Sequence, residues 1–128
     1  HYCVPNTGFN LGRSGSSYSG ICPADLENSF LAGYRQGEKV YELEHIIDEL
    51  RNDRKTLKRE HDELIDEIEN NEKLIISDNT SPKVREELLE QNKRIEQIIA
   101  DKDAEIESLN RKIKRWKNKV ERLVRKWR

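Results

Sequence analysis

Residues 40–75 read VYELEHIIDELRNDRKTLKREHDELIDEIENNEKLI, and residues 88–127 read LLEQNKRIEQIIADKDAEIESLNRKIKRWKNKVERLVRKW. In each stretch one set of positions recurs every three or four residues, in strict alternation. The first set is Val40, Leu43, Ile47, Leu50, Arg54, Leu57, His61, Leu64, Ile68, Asn71 and Ile75. The second is Leu88, Asn92, Ile95, Ile99, Lys102, Ile106, Leu109, Ile113, Trp116, Val120, Leu123 and Trp127. This period of about 3.5 residues predicts two coiled-coil helices.

The composition fits long helices exposed to solvent. Charged residues make up 38% of the 128 residues and hydrophobic residues 34%, with a mean hydropathy of -1.00. So few apolar residues disfavour a large globular core, whereas the regular stripes disfavour a disordered chain. No apolar run approaches the roughly 20 residues that a membrane-spanning helix requires.

The segment between the two stripes predicts how they pair. Residues 77–81 form a polar turn, and Pro82 suits the first position of a helix that Ser81 or Thr80 would cap. Because so short a connection favours antiparallel neighbours, we predict an all-α fold, a long antiparallel two-helix coiled-coil hairpin. The alternative is two separate arms in an intermolecular bundle.

Polar residues within the stripes test this register. Alignment of the stripes across the turn places Asn71 opposite Asn92 and His61 opposite Lys102. Polar positions inside a seam commonly fix the register of a coiled coil. Arg54 alone faces an apolar residue, and we expect its long side chain to extend outward to acids.

The N-terminal segment differs from the rest of the chain. Residues 1–23 are punctuated by Gly and Pro, which predicts turns. Cys3 and Cys22 are the only two cysteines, and an even count in a segment with little core favours a disulfide, the alternative being two free thiols. We expect Gly33 and Gly37 to let this segment, or the end of the second helix, approach closely.

These boundaries predict four parts of the chain. Residues 1–37 would form a small disulfide-stapled, Gly-rich N-terminal head with the start of the first helix, and residues 38–76 the first coiled-coil arm. Residues 77–81 would be the turn, and residues 82–128 the second arm with its basic C-terminal end. The chain contains no Met and begins at His1. We therefore expect a processed product whose signal peptide and lipid anchor lie upstream.

The C-terminal end of the chain is strongly basic. Residues 111–128 carry ten basic side chains and one acidic side chain, with two tryptophans on the stripe. We predict that this segment is an interaction surface made of Arg111, Lys112, Lys114, Arg115, Trp116, Lys117, Lys119, Arg122, Arg125, Lys126, Trp127 and Arg128. It would bind an anionic membrane surface, a cell-wall polymer or an acidic protein.

Two other interpretations of the basic segment stay open. Its charges can compensate acids of the first helix and favour the helix dipole. Nucleic acid is a weaker alternative, since the basic region of a zipper protein precedes the seam, whereas here the seam continues to Trp127.

The sequence contains no recognisable catalytic constellation. The glycines of residues 8–15 lack the Lys-Ser/Thr of a phosphate loop, and the serines of residues 14–17 are not in a G-x-S-x-G elbow. The cysteine spacing is not C-x-x-C, which disfavours a metal site. We therefore expect no catalytic residue, no metal, no cofactor and no enzymatic activity.

The N-terminal motif resembles a known family. The residues that carry the resemblance are Tyr2, Cys3, Gly8, Gly12, Gly15, Tyr18, Gly20, Ile21, Cys22, Pro23, Phe30, Gly33, Tyr34, Gly37 and Tyr41. Their pattern is similar to an uncharacterised family of small proteobacterial envelope lipoproteins, a domain of unknown function. The resemblance covers about the first 41 residues. It implies a secreted, lipid-anchored protein in an oxidising compartment, which also favours the Cys3–Cys22 bridge, and it implies no activity.

We therefore expect a structural or interaction protein that is periplasmic or associated with the outer membrane. Its coiled coil would act as a spacer or assembly element of the cell envelope, through a protein partner or self-association. Tyr18, Phe30 and Tyr34 would pack the head. The alternative function is a binding module for anionic lipid or cell-wall polymer, carried by the basic C-terminal helix.

Overall fold

A computed structural model describes residues 2–127 of the chain and contains helices, turns and bends within that range, with no strand. The helices are α1 (Pro5–Arg13), α2 (Ala24–Ile75) and α3 (Pro82–Arg125). The predicted all-α class is confirmed. The chain forms two compact units. The head unit comprises His1–Leu50 and Lys112–Arg128, and the hairpin unit comprises Arg51–Arg111.

The hairpin unit is an antiparallel pair of helices, as predicted. The end of α2 and the start of α3 are joined by residues 76–81. Ser81 caps α3, because its Oγ accepts a hydrogen bond of 3.3 Å from the Val84 backbone N–H, while Pro82 occupies the first helical position. Arg85 donates to the Ser77 carbonyl at 2.8 Å and ties the connection to α3.

A hydrogen bond between two asparagines fixes the register of this pair. Asn71 Nδ2 donates to Asn92 Oδ1 at 2.8 Å, and both residues are buried, each at 8% exposure. The predicted pairing of Asn71 with Asn92 is confirmed. Most apolar seam residues nearby are only half-buried, because two helices cannot enclose a core; Ile95, at 5% exposure, is an exception.

The other polar seam residues contact polar side chains that lie one position along the sequence from the residues that the alignment placed opposite them. His61 Nε2 lies 3.1 Å from an Asp103 carboxylate oxygen, and Lys102 donates to Glu60 at 3.3 Å. Arg54 donates to the amide oxygen of Asn110 at 2.8 Å and does not reach an acid. Each long side chain therefore leaves the seam sideways and meets a polar residue at the edge of the facing helix.

The head unit contains a helix that the sequence analysis did not predict. Residues 1–23 were expected to form turns, but residues 5–13 form α1, with Pro5 at its start. Two glycines within nine residues lower the helix propensity, and packing against α2 overrides that preference. The seam of this unit contains the most buried stripe residues of α2, which are Val40, Leu43 and Ile47, at 0 to 6% exposure. The proposed division of the chain at residue 37 stays a prediction.

Replacement of Asn71 by Leu is expected to destabilise the hairpin unit by about 1–3 kcal/mol, because it leaves the Asn92 amide buried without its partner. The double replacement Asn71→Leu/Asn92→Leu is expected to recover most of that loss. Urea denaturation followed by circular dichroism measures both. Asn70→Leu is the matched control, since Asn70 is the exposed neighbour. An equal effect of Asn70→Leu and Asn71→Leu would contradict the role of the asparagine pair.

Candidate functional site

Two features of the head unit are candidates for function, and the first is the stapled N-terminal segment. Cys3 and Cys22 form a disulfide with a Cα–Cα distance of 5.7 Å, which confirms the predicted staple. Both sulfurs belong to a buried cluster with Phe30, which is fully buried at 0% exposure. A disulfide that closes a loop of this length contributes about 3 kcal/mol by the chain-entropy model.

Aromatic rings surround this cluster. The Phe30 ring centroid lies 5.0 Å from that of Tyr18 and 5.4 Å from that of Tyr2, and Tyr18 also contacts Tyr34 at 6.2 Å. Tyr34 donates its hydroxyl to the Ser16 carbonyl at 2.8 Å. The predicted packing of Tyr18, Phe30 and Tyr34 is therefore confirmed.

The Tyr18 hydroxyl connects the loop between Cys3 and Cys22 to the start of α2. It donates to Glu27 Oε2 at 2.8 Å and accepts from the Cys22 backbone N–H at 3.1 Å. Desolvation raises the pKa of Tyr18 above its ordinary value, and the hydrogen bond to Glu27 raises it further, while the Cys22 N–H acts in the opposite direction. The neutral phenol thus donates one hydrogen bond and accepts another within the head unit.

Glycines bring the backbones of α1 and α2 into direct contact. A Cβ placed on Gly12 would lie 2.1 Å from the Tyr34 carbonyl oxygen, and one on Gly37 would lie 2.1 Å from that of Phe9. Gly8 and Gly33 show the same relation at 2.2 Å, to the carbonyls of Phe30 and Pro5. The residue numbers of the contacting pairs increase along both helices, so α1 runs parallel to the start of α2. The expected close approach at Gly33 and Gly37 is confirmed, and the stapled segment is what packs there.

Trp127, two residues after the end of α3, also packs in the head unit. The Trp127 ring stacks on the Phe9 ring with centroids 5.2 Å apart and planes 12° apart. Phe9 is buried at 3% exposure. The sequence analysis did not assign a role to Phe9, because α1 was not predicted. The spacing of Gly8 and Gly12, equal to that of Gly33 and Gly37, was the available signal for a helix there.

The second candidate feature is the exposed surface of residues 112–126, at the C-terminal end of α3, which we call the basic face. Its exposed side chains in the head unit are Lys112, Lys114, Arg115, Lys117, Arg122, Arg125 and Lys126. Lys119 is half-buried, with its ammonium 5.5 Å from the centre of the Trp116 ring. Arg111 belongs to the hairpin unit and lies 3.9 Å from Glu107, and Arg128 lies outside the described residues.

The basic face carries a surplus of positive charge, since Glu121 is the one acid between positions 112 and 126. Within residues 2–127, no ion pair involves the basic side chains at positions 112–126. An ion pair between α1 and α2 in the head unit joins Arg13 to Glu44 at 3.1 Å. The exposed cations at positions 112–126 are therefore available to an anionic partner.

No group of three or more His, Cys, Asp or Glu side chains within residues 2–127 is arranged to hold a metal ion. Among the same residues no helix combines the length and the apolar character that a membrane span requires. A groove lies in the hairpin unit, beside the connection between α2 and α3.

The N-terminal segment is similar to a family without an assigned function. The family model described as "Protein of unknown function (DUF2799)" matches residues 1–39. The resemblance to an uncharacterised domain family is thereby confirmed for that segment, which contains both cysteines and all four interlocking glycines. No curated protein and no solved structure gives a significant match to the chain.

Replacement of Gly12 by Ala is expected to destabilise the head unit by about 1–3 kcal/mol, because the new methyl group overlaps a backbone carbonyl that cannot rotate away. Urea denaturation followed by tryptophan fluorescence measures the effect, since Trp116 and Trp127 both lie in the head unit. Asn10→Ala, an exposed change on the same helix, is the control. A stabilising effect of Gly12→Ala, as helix propensity alone would give, would rule out the backbone contact.

Proposed function

We propose that the protein is a non-enzymatic structural or interaction protein of the bacterial cell envelope, whose paired helices act as a spacer or assembly element in a larger complex. The observation that carries this proposal is the Asn71–Asn92 hydrogen bond in the seam of the hairpin unit. A buried polar pair costs stability relative to an apolar pair but selects one register and one partner helix. Such specificity is useful to a protein that presents a fixed surface to others.

The disulfide supports the envelope location. Disulfides persist in oxidising compartments such as the bacterial periplasm and are rare in the cytosol. Cys3 and Cys22 are paired and buried in the structure. We accordingly place the protein in the periplasm or at the outer membrane, as a secreted and lipid-anchored member of a proteobacterial lipoprotein family. Its partner would be a protein of an envelope assembly or a second copy of the chain.

A second candidate function is a binding module for anionic lipid or cell-wall polymer, and the basic face is the observation that favours it. Seven basic side chains between positions 112 and 126 are exposed, with Glu121 the only acid in that range. Trp127 stacks on Phe9 and Trp116 is half-buried, so neither ring is free to anchor in a bilayer. The contact would therefore be electrostatic and superficial, with head groups or polymer phosphates.

Purification of the full-length protein from its own cells in mild detergent tests the first function. We expect mass spectrometry to detect a stoichiometric protein partner, or a second copy, that persists at high salt, because an interface with an apolar centre is little affected by screening. Recovery of lipid or cell-wall material alone, lost at high salt, would refute the assembly function and favour the second candidate.

Charge reversal on the basic face tests the second function. Lys114→Glu/Arg122→Glu/Arg125→Glu is expected to weaken binding to phosphatidylglycerol vesicles or soluble polyphosphate at least about a hundredfold, at about 1 kcal/mol for each lost cation. Co-sedimentation or fluorescence anisotropy measures this. Lys55→Glu/Lys58→Glu/Lys83→Glu makes the same change in net charge on the hairpin unit. Equal losses in the two triple variants would mean that the basic face is not the binding site.

A further inference from the structure

A groove opens on the hairpin unit beside the connection between α2 and α3. Its volume is about 440 Å³. Three apolar residues contribute to its lining, Ile75, Ile76 and Leu89, together with four glutamates. Ile76 is 80% exposed and Leu89 is 52% exposed. Ile76 and Leu89 each follow a seam residue in the sequence, Ile75 and Leu88, and are not seam positions themselves.

Two strongly exposed apolar side chains, Ile76 and Leu89, line the same groove. Leu74, at 51% exposure, and Val84, at 43%, are close to them in sequence but do not line it. Single exposed apolar side chains are common on proteins, whereas two that line one groove favour an interaction surface.

Four of the residues that line the groove are acidic. They are Glu72, Glu86, Glu90 and Glu96, and Lys93 is the one basic residue in the lining. Lys93 lies 3.8 Å from Glu90. Glu72, Glu86 and Glu96 form no ion pair with any residue in the range 2–127. The groove therefore combines apolar side chains with a net negative charge.

We propose that this groove docks a basic amphipathic helix of a protein partner, with its apolar residues on Ile76 and Leu89 and its cations on the glutamates. Amphipathic helices bind apolar grooves through side chains spaced three or four residues apart, and a groove of this volume admits a few such side chains. The inference rests on the proposed assembly function and names the chemistry of the partner.

Charge complementarity selects this occupant over the others. A second copy of the same groove would bring like charges together, and an anionic lipid surface would be repelled by the glutamates. The basic segment of a second copy does not fit either, because its apolar side is already used: Ile113 is 5% exposed and Trp127 stacks on Phe9. A separate protein that is both basic and apolar matches the acidic and the apolar side chains of the groove together.

A synthetic helical peptide of lysine and leucine, with leucines on one face, is the probe for the test. We expect it to bind the full chain, and Ile76→Ser/Leu89→Ser to weaken that binding by about tenfold or more through loss of apolar contact. Glu86→Gln/Glu96→Gln is expected to weaken binding at low salt and to reduce its salt dependence. Anisotropy of the labelled peptide measures both effects.

Matched controls separate the groove from general attraction to an acidic protein. Ile65→Ser removes an apolar side chain of 36% exposure elsewhere on the hairpin unit, and Glu63→Gln/Glu105→Gln removes two exposed acids outside the lining. Neither control is expected to change the affinity by more than about twofold, as is usual for residues outside an interface. A peptide of lysine and serine with the same charge is expected to bind at least about tenfold more weakly than the leucine peptide.

Equal binding of the two peptides, or equal effects of groove and control variants, would overturn the proposal. The co-purification distinguishes this failure from failure of the proposed function. A salt-resistant partner retained by Ile76→Ser/Leu89→Ser overturns the groove and leaves the assembly function intact. Loss of that partner in this variant, with retention in Ile65→Ser, supports the groove as the docking site.

Discussion

A narrow apolar stripe can leave water only if another stripe covers it, and this constraint governs the hairpin unit. The whole chain has 34% hydrophobic and 38% charged residues, and the single apolar stripe on each of α2 and α3 is too narrow to build a closed core. Their seam residues remain mostly half-buried. Apolar burial alone would tolerate a slip of one heptad along such a seam, so the asparagine hydrogen bond provides the register that packing does not.

In the head unit, contacts other than a heptad seam hold the short helix α1 against α2. Its α1 has only nine residues, too few to be stable alone in water. Backbone contact at four glycines, a disulfide and a ring of aromatic side chains compensate for the missing length. The result places Tyr18, Phe30 and Tyr34 around one disulfide, and the hydroxyls of Tyr18 and Tyr34 hold the loop by hydrogen bonds.

The period of the sequence was sufficient to predict the two long helices, their antiparallel pairing in the hairpin unit and the Asn71–Asn92 contact. Regular spacing reports which residues share a face, and a short connection limits the geometry. It was not sufficient for His61 and Lys102, whose length lets each reach a partner at the edge of the seam. Nor did it predict α1, since glycine lowers local helix propensity, and here a tertiary contact decides the outcome. The stacking of Trp127 on Phe9 could not be foreseen without α1.

The glycine contacts between α1 and α2 restrict which substitutions these helices can accept. When a side chain fills the space beside a small residue, a second substitution can shorten that side chain and restore the fit. Here the space beside Gly8, Gly12, Gly33 and Gly37 is filled by backbone carbonyls, which every amino acid carries. No compensating substitution on the facing helix can make room. A shorter facing side chain therefore cannot restore a variant at these four positions, and only stabilising substitutions elsewhere in the chain can offset its cost.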